Sequence, residues 1–223
     1  MKLSYTEYIE DMVKKVNTGD PIYSDDIAEA IKIEYGITKK EAAANTAVSL
    51  KRLMDRRTIP ELRNYQKGIY FRTAVTPFGE TGINKDKLIS DRYLSNDNGY
   101  YGGYRLLHQM GLTNQMPNNL MVVTNKAGKN SRKDSKLEII IMPPHTHITA
   151  DNKEYLKILD ILDLLQKAPV DVKEPYKILA AYIKKMELDY KKLLAYASQY
   201  YHHNTLSHLA KVAVEGEMLN EPA

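Results

Sequence analysis

The 223 residues include no cysteine and no tryptophan. Without cysteine there is no disulfide framework and no thiolate metal site, a composition that suits a reducing cytoplasm, the expected location. No apolar run approaches the ~18 residues needed to cross a bilayer. The opening stretch MKLSYTEYIEDMVKKV is amphipathic, carries acids and lacks the apolar centre of a signal peptide, so no membrane partner is expected. Recognisable catalytic machinery is lacking too. Lys126-Ala127-Gly128-Lys129-Asn130-Ser131 misses the spacing of a phosphate loop. Gly99-Tyr100-Tyr101-Gly102-Gly103 has no dinucleotide-binding context. His145 and His147 flank Thr146 with no third ligand placed by motif, and read as a polar strand end. His202, His203 and His208 read as surface or capping residues, and Asp160 and Asp163 as an exposed sliver of a mostly apolar helix. The expectation is no catalytic residue, no cofactor, no metal and no enzymatic activity.

What is present is an ordinary globular balance, 43% hydrophobic and 27% charged, enough for one large domain or two small ones. Seventeen tyrosines read as core and interface residues, since a phenol packs and hydrogen-bonds at once. The net charge of +4 is spread unevenly. From Met1 to Thr38 there are four Lys/Arg against eight Asp/Glu, a net of −4; from Lys39 to Arg72 there are nine against three, a net of +6.

The basic stretch falls on a recognisable pattern. Tyr5, Tyr8, Ile9, Met12, Val13 and Val16 recur at helical spacing. After a break at 17–21, Ser24 is placed to cap a second helix with Ile27, Ala28 and Ile31 inward, closed by Gly36. Thr38-Lys39-Lys40-Glu41 is a capping box opening a third helix that extends to about Arg56. Its inward phase is read as Ala43, Ala47, Leu50 and Met54, and its outward phase as Ala42, Asn45, Ser49, Arg52 and Arg56. A helix that enters the major groove needs small residues for approach, hydrogen-bonding side chains for base edges and cations for phosphates. Two short extended runs, Thr58–Arg63 and Ile69–Arg72, flank a glycine-containing turn and read as a β-hairpin. Three helices followed by a hairpin predict a winged helix-turn-helix with the third helix as reader. Lys40, Asn45, Ser49, Arg52, Arg56, Arg63 and Lys67 are the expected DNA-binding residues, with Arg72 also on the hairpin.

The expected fold is α+β in three parts. Residues 1–75 form the winged helix-turn-helix and residues 76–150 a small mixed α/β segment. The latter has a helix near 84–94, a second near 104–110, and strands at 120–124 and 137–142. Residues 151–223 form a helical bundle: a nearly all-apolar first helix stopped by Pro169, a second opened by Pro175, a third carrying Tyr190 to Tyr201 and a fourth capped by Asn204.

The order of several motifs adds a family. Leu50-Lys51-Arg52-Leu53, Ile59 and Gly68-Ile69-Tyr70-Phe71 are followed by Tyr101-Gly102-Gly103-Tyr104-Arg105-Leu106-Leu107. Then come Gly111-Leu112-Thr113-Asn114-Gln115-Met116-Pro117 and Met121-Val122-Val123-Thr124-Asn125. From about Ile22 to Met142 the chain resembles the AbiEi-type antitoxins of bacterial abortive-infection, or type IV toxin–antitoxin, systems. It departs from them in an extended start to the third helix, Lys39 to Ala47, and in Arg57, which stands where relatives often carry glycine. The resemblance implies an autorepressor that binds double-stranded DNA at its own promoter. It further implies a C-terminal region that opposes a nucleotidyltransferase-like toxin encoded by the adjacent gene. A homodimer is the usual partner of a symmetric operator. The alternative is a protein-interaction module that neutralises a partner without binding DNA.

Overall fold

The computed structural model describes residues 3–116, 119–165, 167–168 and 170–216; Pro117, the expected helix stop Pro169 and the tail from Asn220 to Ala223 lie outside the described residues. The fold is mixed α+β, with helices and a small sheet first, a β-rich middle and helices last. The chain divides into two compact units, Met1–Ile89 and Ser90–Ala223.

In the first unit, α1 (Tyr5–Lys15) opens on a capping box in which the Ser4 hydroxyl accepts from the Glu7 N–H and the Glu7 carboxylate accepts from the Ser4 N–H. Strand β1 (Ile22–Tyr23) runs straight into α2 (Ser24–Tyr35). Ser24 is the first helical residue rather than the cap, a position taken by Tyr23 without a side-chain hydrogen bond. Gly36 ends α2 at φ 67°, a left-handed turn that a Cβ would oppose. Helix α3 (Lys39–Asp55) follows, then the hairpin of β2 (Leu62–Gln66) and β3 (Ile69–Arg72) around Lys67-Gly68. The antiparallel sheet runs β1-β3-β2, with Ile22 opposite Tyr70 and Leu62 opposite Arg72.

Ile9 and Val13 of α1, Ile27 and Ile31 of α2, Leu50 and Leu53 of α3, and Ile59 and Leu62 bury into one core. Each such side chain contributes roughly 1.5–3 kcal/mol of burial. That packing, not the weak contrast of an alanine-rich segment, orients α3. A minimal hairpin, β4 (Val75–Thr76) with β5 (Gly79–Glu80), replaces the expected connector, and α4 (Lys85–Ile89) completes the unit.

The second unit begins with a π turn (Ser90–Leu94) and a 3-10 turn (Ser95–Asp97), so the single helix expected over 84–94 is broken. Strand β6 (Gly99–Gly102) and helix α5 (Gly103–Gln109) come next, then β7 (Leu120–Thr124), β8 (Arg132–Asp134) and β9 (Ile139–Met142). The sheet order is β6-β7-β9-β8, with β7 and β9 parallel and the other pairs antiparallel. Gly99 is required at its place: a Cβ there would lie 2.5 Å from the Tyr93 carbonyl oxygen and 2.6 Å from that of Val123.

Among the described residues, helices α6 (Lys153–Leu164), α7 (Pro175–Lys185), α8 (Tyr190–Tyr200) and α9 (His203–Glu215) follow. Leu107 and Val123 share a core with Leu156, Leu159, Leu179, Leu193 and Leu209, so the sheet and the C-terminal helices are one unit. Asn204 lies inside α9, whose cap position is His202. Two polar side chains depart from expectation. His208 is buried, not on the surface, and its Nδ1 shares a 2.5 Å hydrogen bond with the Tyr176 hydroxyl because it sits on the inner face of α9. Asp160 is no exposed sliver either: it accepts hydrogen bonds from Tyr100 and Tyr201, both at 2.7 Å. Among the described residues no helix is long and apolar enough to cross a membrane.

Candidate nucleic-acid interface

Helix α3 is fixed at its start by the expected capping box. The Thr38 hydroxyl accepts from the Glu41 N–H at 3.3 Å, and the Glu41 carboxylate accepts from the Thr38 N–H at 3.0 Å and its hydroxyl at 2.8 Å. Those donors hold the Glu41 carboxyl below its ordinary pKa, the backbone N–H first.

The orientation of the helix differs from the expected phase. Its buried seam is Ala42, Thr46, Ser49, Leu50 and Leu53. Relative to the sequence reading this is a rotation of roughly one residue's step, ~100°. Ser49, expected on the outer face, is 3% exposed, and its hydroxyl pairs with that of Thr6 on α1 at 3.2 Å. Ala42 is fully buried and Asn45 half-buried. Ala43 and Ala47, expected inside, are exposed. Four alanines within six positions, 42 to 47, carry no amphipathic signal, and two small polar residues, Thr46 and Ser49, are buried, Ser49 against Thr6 of α1.

The face that does look outward carries Lys40, Ala43, Ala44, Ala47, Val48 and Lys51, with Arg52 and Arg56 along one flank. Lys40, Arg52 and Arg56 were expected there. Lys51, the exposed alanines and Val48 were not; a helical phase taken from Leu50 and Leu53 alone places Ala44, Val48 and Lys51 outside, but not Ala43, which stands two turns from Leu50 on the same side of the helix.

The hairpin turn brings Lys67 beside this face. A groove of about 380 Å³ is lined by Ala43 and Ala47 of α3, Ser24 and Asp25 of α2, and Lys67, Gly68 and Tyr70 of the hairpin. The Gly68 carbonyl accepts from the Ser24 N–H at 2.9 Å, which ties the turn to the start of α2. On the other side of Ala43, a second groove is lined by Asp25, Asp26 and Glu29 together with Lys39, so the cationic face has an acidic border. Among the described residues, Lys40, Lys51, Arg52, Arg56 and Lys67 form no ion pair.

The hairpin arginines behave differently. Arg63, expected to contact DNA, donates to both Glu80 oxygens at 2.7 and 3.3 Å and to the Pro60 and Leu62 carbonyls. Arg72 donates to Glu61 at 2.8 and 3.1 Å and to the carbonyls of Lys14 and Val16, which joins the end of α1 to the hairpin. Their charge is already committed within the protein. Glu61 is correspondingly held below the ordinary carboxyl pKa, first by a hydrogen bond from its own backbone N–H and then by Arg72. Arg57 adopts φ 52°, the left-handed region that glycine tolerates best. Among the described residues no three His, Asp or Glu side chains converge to hold a metal ion.

The chain matches no protein-family profile, and no curated protein matches it. A crystal structure of the RV2827C protein from Mycobacterium tuberculosis superposes with a TM-score of 0.46 and 11% identity, over 97% of this chain and 78% of that one.

Proposed function

We propose that this chain is a DNA-binding transcriptional regulator, in which α1–α3 and the β2–β3 hairpin act as a winged helix-turn-helix with α3 as the reading helix. One observation carries the reading. The outward face of α3 is lined by small side chains at Ala43, Ala44 and Ala47 and flanked by the exposed cations Lys40, Lys51, Arg52, Arg56 and Lys67, which are unpaired among the described residues. Small residues let a helix approach base edges closely, Val48 can meet a thymine methyl group, and the cations suit phosphate oxygens. Ser49 and Arg63 have no part in this reading, because one is buried and the other is tied to Glu80.

The narrower role, antitoxin and autorepressor of an abortive-infection pair, is supported by the resemblance to AbiEi-type antitoxins. It implies a cytoplasmic protein, dimeric on a symmetric operator, with a nucleotidyltransferase-like toxin as neighbour and no catalytic task of its own. The test uses a duplex of the gene's own promoter against a scrambled duplex of equal length. Tight, salt-sensitive binding to the promoter alone is expected; equal affinity for both overturns the regulator reading. Co-purification with the product of the adjacent gene tests the antitoxin role separately.

A second reading, a module that neutralises a protein partner without binding DNA, is favoured by the exposed apolar residues of this unit. Val48 is 47% exposed, and Val75 and Phe78 on the β4–β5 hairpin are exposed almost completely. Partner capture with no promoter affinity would select it.

A further inference from the structure

The second unit holds a cavity of about 150 Å³ between the sheet and α6. Met121, Val123, Met142 and Leu164 make its wall apolar, while Asp160 and Asp163, one helical turn apart on α6, line it together with His145. A carboxylate beside apolar walls is costly unless its charge is answered. Among the described residues no Lys or Arg pairs with Asp160.

Asp160 is instead held in place. The Tyr100 hydroxyl from β6 donates to its Oδ2 and the Tyr201 hydroxyl, just after α8, donates to its Oδ1. Burial pushes both phenols to higher pKa, so they remain donors; it also raises the Asp160 carboxyl, an effect that their two hydrogen bonds to it oppose. The His145 ring packs on Tyr201 with centroids 4.2 Å apart. A carboxylate has about four acceptor positions, and the two tyrosines take one on each oxygen. Asp163 is only loosely engaged, with the Thr205 hydroxyl at 3.3 Å and the exposed Lys167 at 4.0 Å.

We propose that this cavity is a binding site for a small organic cation, a primary ammonium group on a compact apolar body, with the ammonium on the side lined by Asp160 and Asp163. The apolar wall takes the body, and the oriented carboxylate of Asp160 supplies the opposite charge. The volume matches a single ring, since cavities of ~150 Å³ with aliphatic walls accept benzene. Nothing in this inference depends on DNA binding.

The test is isothermal titration of the full chain at neutral pH with benzylamine and with its uncharged analogue benzyl alcohol. Benzylamine is expected to bind in the millimolar range or tighter and at least about tenfold more tightly than benzyl alcohol. Asp160→Asn, which keeps an acceptor oxygen for one tyrosine, is expected to lose that preference while unfolding at a temperature near the unaltered chain's. Equal affinity for the two compounds, no binding of benzylamine up to about 10 mM, or an unchanged preference in a folded Asp160→Asn variant each overturns the proposal. Should Asp160→Asn fail to fold, Asp163→Asn, which removes the second acid lining the cavity, is expected to reduce the preference for benzylamine, and an unchanged preference there overturns the proposal.

Discussion

The cations of α3 and those of the β2–β3 hairpin stand within one stretch of sequence, yet they live in different electrostatic states. Arg52 and Arg56 project from α3 without an ion pair among the described residues. Arg63 and Arg72 are each clamped by a carboxylate and by backbone carbonyls. Counting charge along the chain treats all four alike. The hydrogen bonds separate them into cations free to meet an external phosphate and cations that hold the unit together.

That comparison can be broken most directly at Arg72. Its guanidinium satisfies Glu61 and two carbonyls in a half-buried setting, so Arg72→Ala should cost about 2 kcal/mol of stability, measured by urea unfolding. Promoter affinity per folded molecule should be unchanged. Ala47→Glu inverts the pattern: stability should stay within about 0.5 kcal/mol, while an acid facing phosphates should weaken promoter binding by at least about tenfold, read by fluorescence anisotropy. Ser49→Ala removes the contact with Thr6 and should cost up to about 1 kcal/mol without altering DNA affinity; a large affinity loss in a folded variant would return Ser49 to the outer face.

The smallest effect is a pH dependence. The folded-state pKa of Glu61 is lowered, so its contribution is complete above the unfolded carboxyl value of 4.5 and fades as pH falls toward the folded value. Stability of the unaltered chain should therefore decline below about pH 4.5 more steeply than that of Arg72→Ala. Parallel curves would show that Arg72 does not influence Glu61.

Much of the first unit was legible because its signals are strong and local. The capping box at Thr38 and Glu41 and the C-cap at Gly36 each follow from side-chain chemistry within a few residues, whereas the hairpin was legible only in outline: its first strand is Leu62–Gln66, not the expected run Thr58–Arg63, and the turn narrows from 64–68 to Lys67-Gly68. The rotation of α3 was not legible, since alanine is neutral between core and surface and the partner of the buried Ser49 is Thr6 on α1, 43 residues away in sequence. The same limit hid β6 and β8, short strands whose pairing with β7 and β9 is tertiary. It hid the roles of Asp160 and His208 as well: their partners Tyr100, Tyr201 and Tyr176 arrive from distant elements, and an acid or a histidine on a helix reads as solvent-facing until they do.

In the proposed regulator the free cations of α3, and not the clamped arginine of the hairpin, meet DNA. The salt dependence of promoter affinity tests it, compared among the unaltered chain, Arg52→Ala/Arg56→Ala and Arg63→Ala. Each lost phosphate contact lowers the slope of log affinity against log salt by about 0.9. The double variant should lose between about one and two such units with its stability intact, and Arg63→Ala should lose none. A double variant with the unaltered slope, or an Arg63→Ala slope that falls as far, would contradict the assignment.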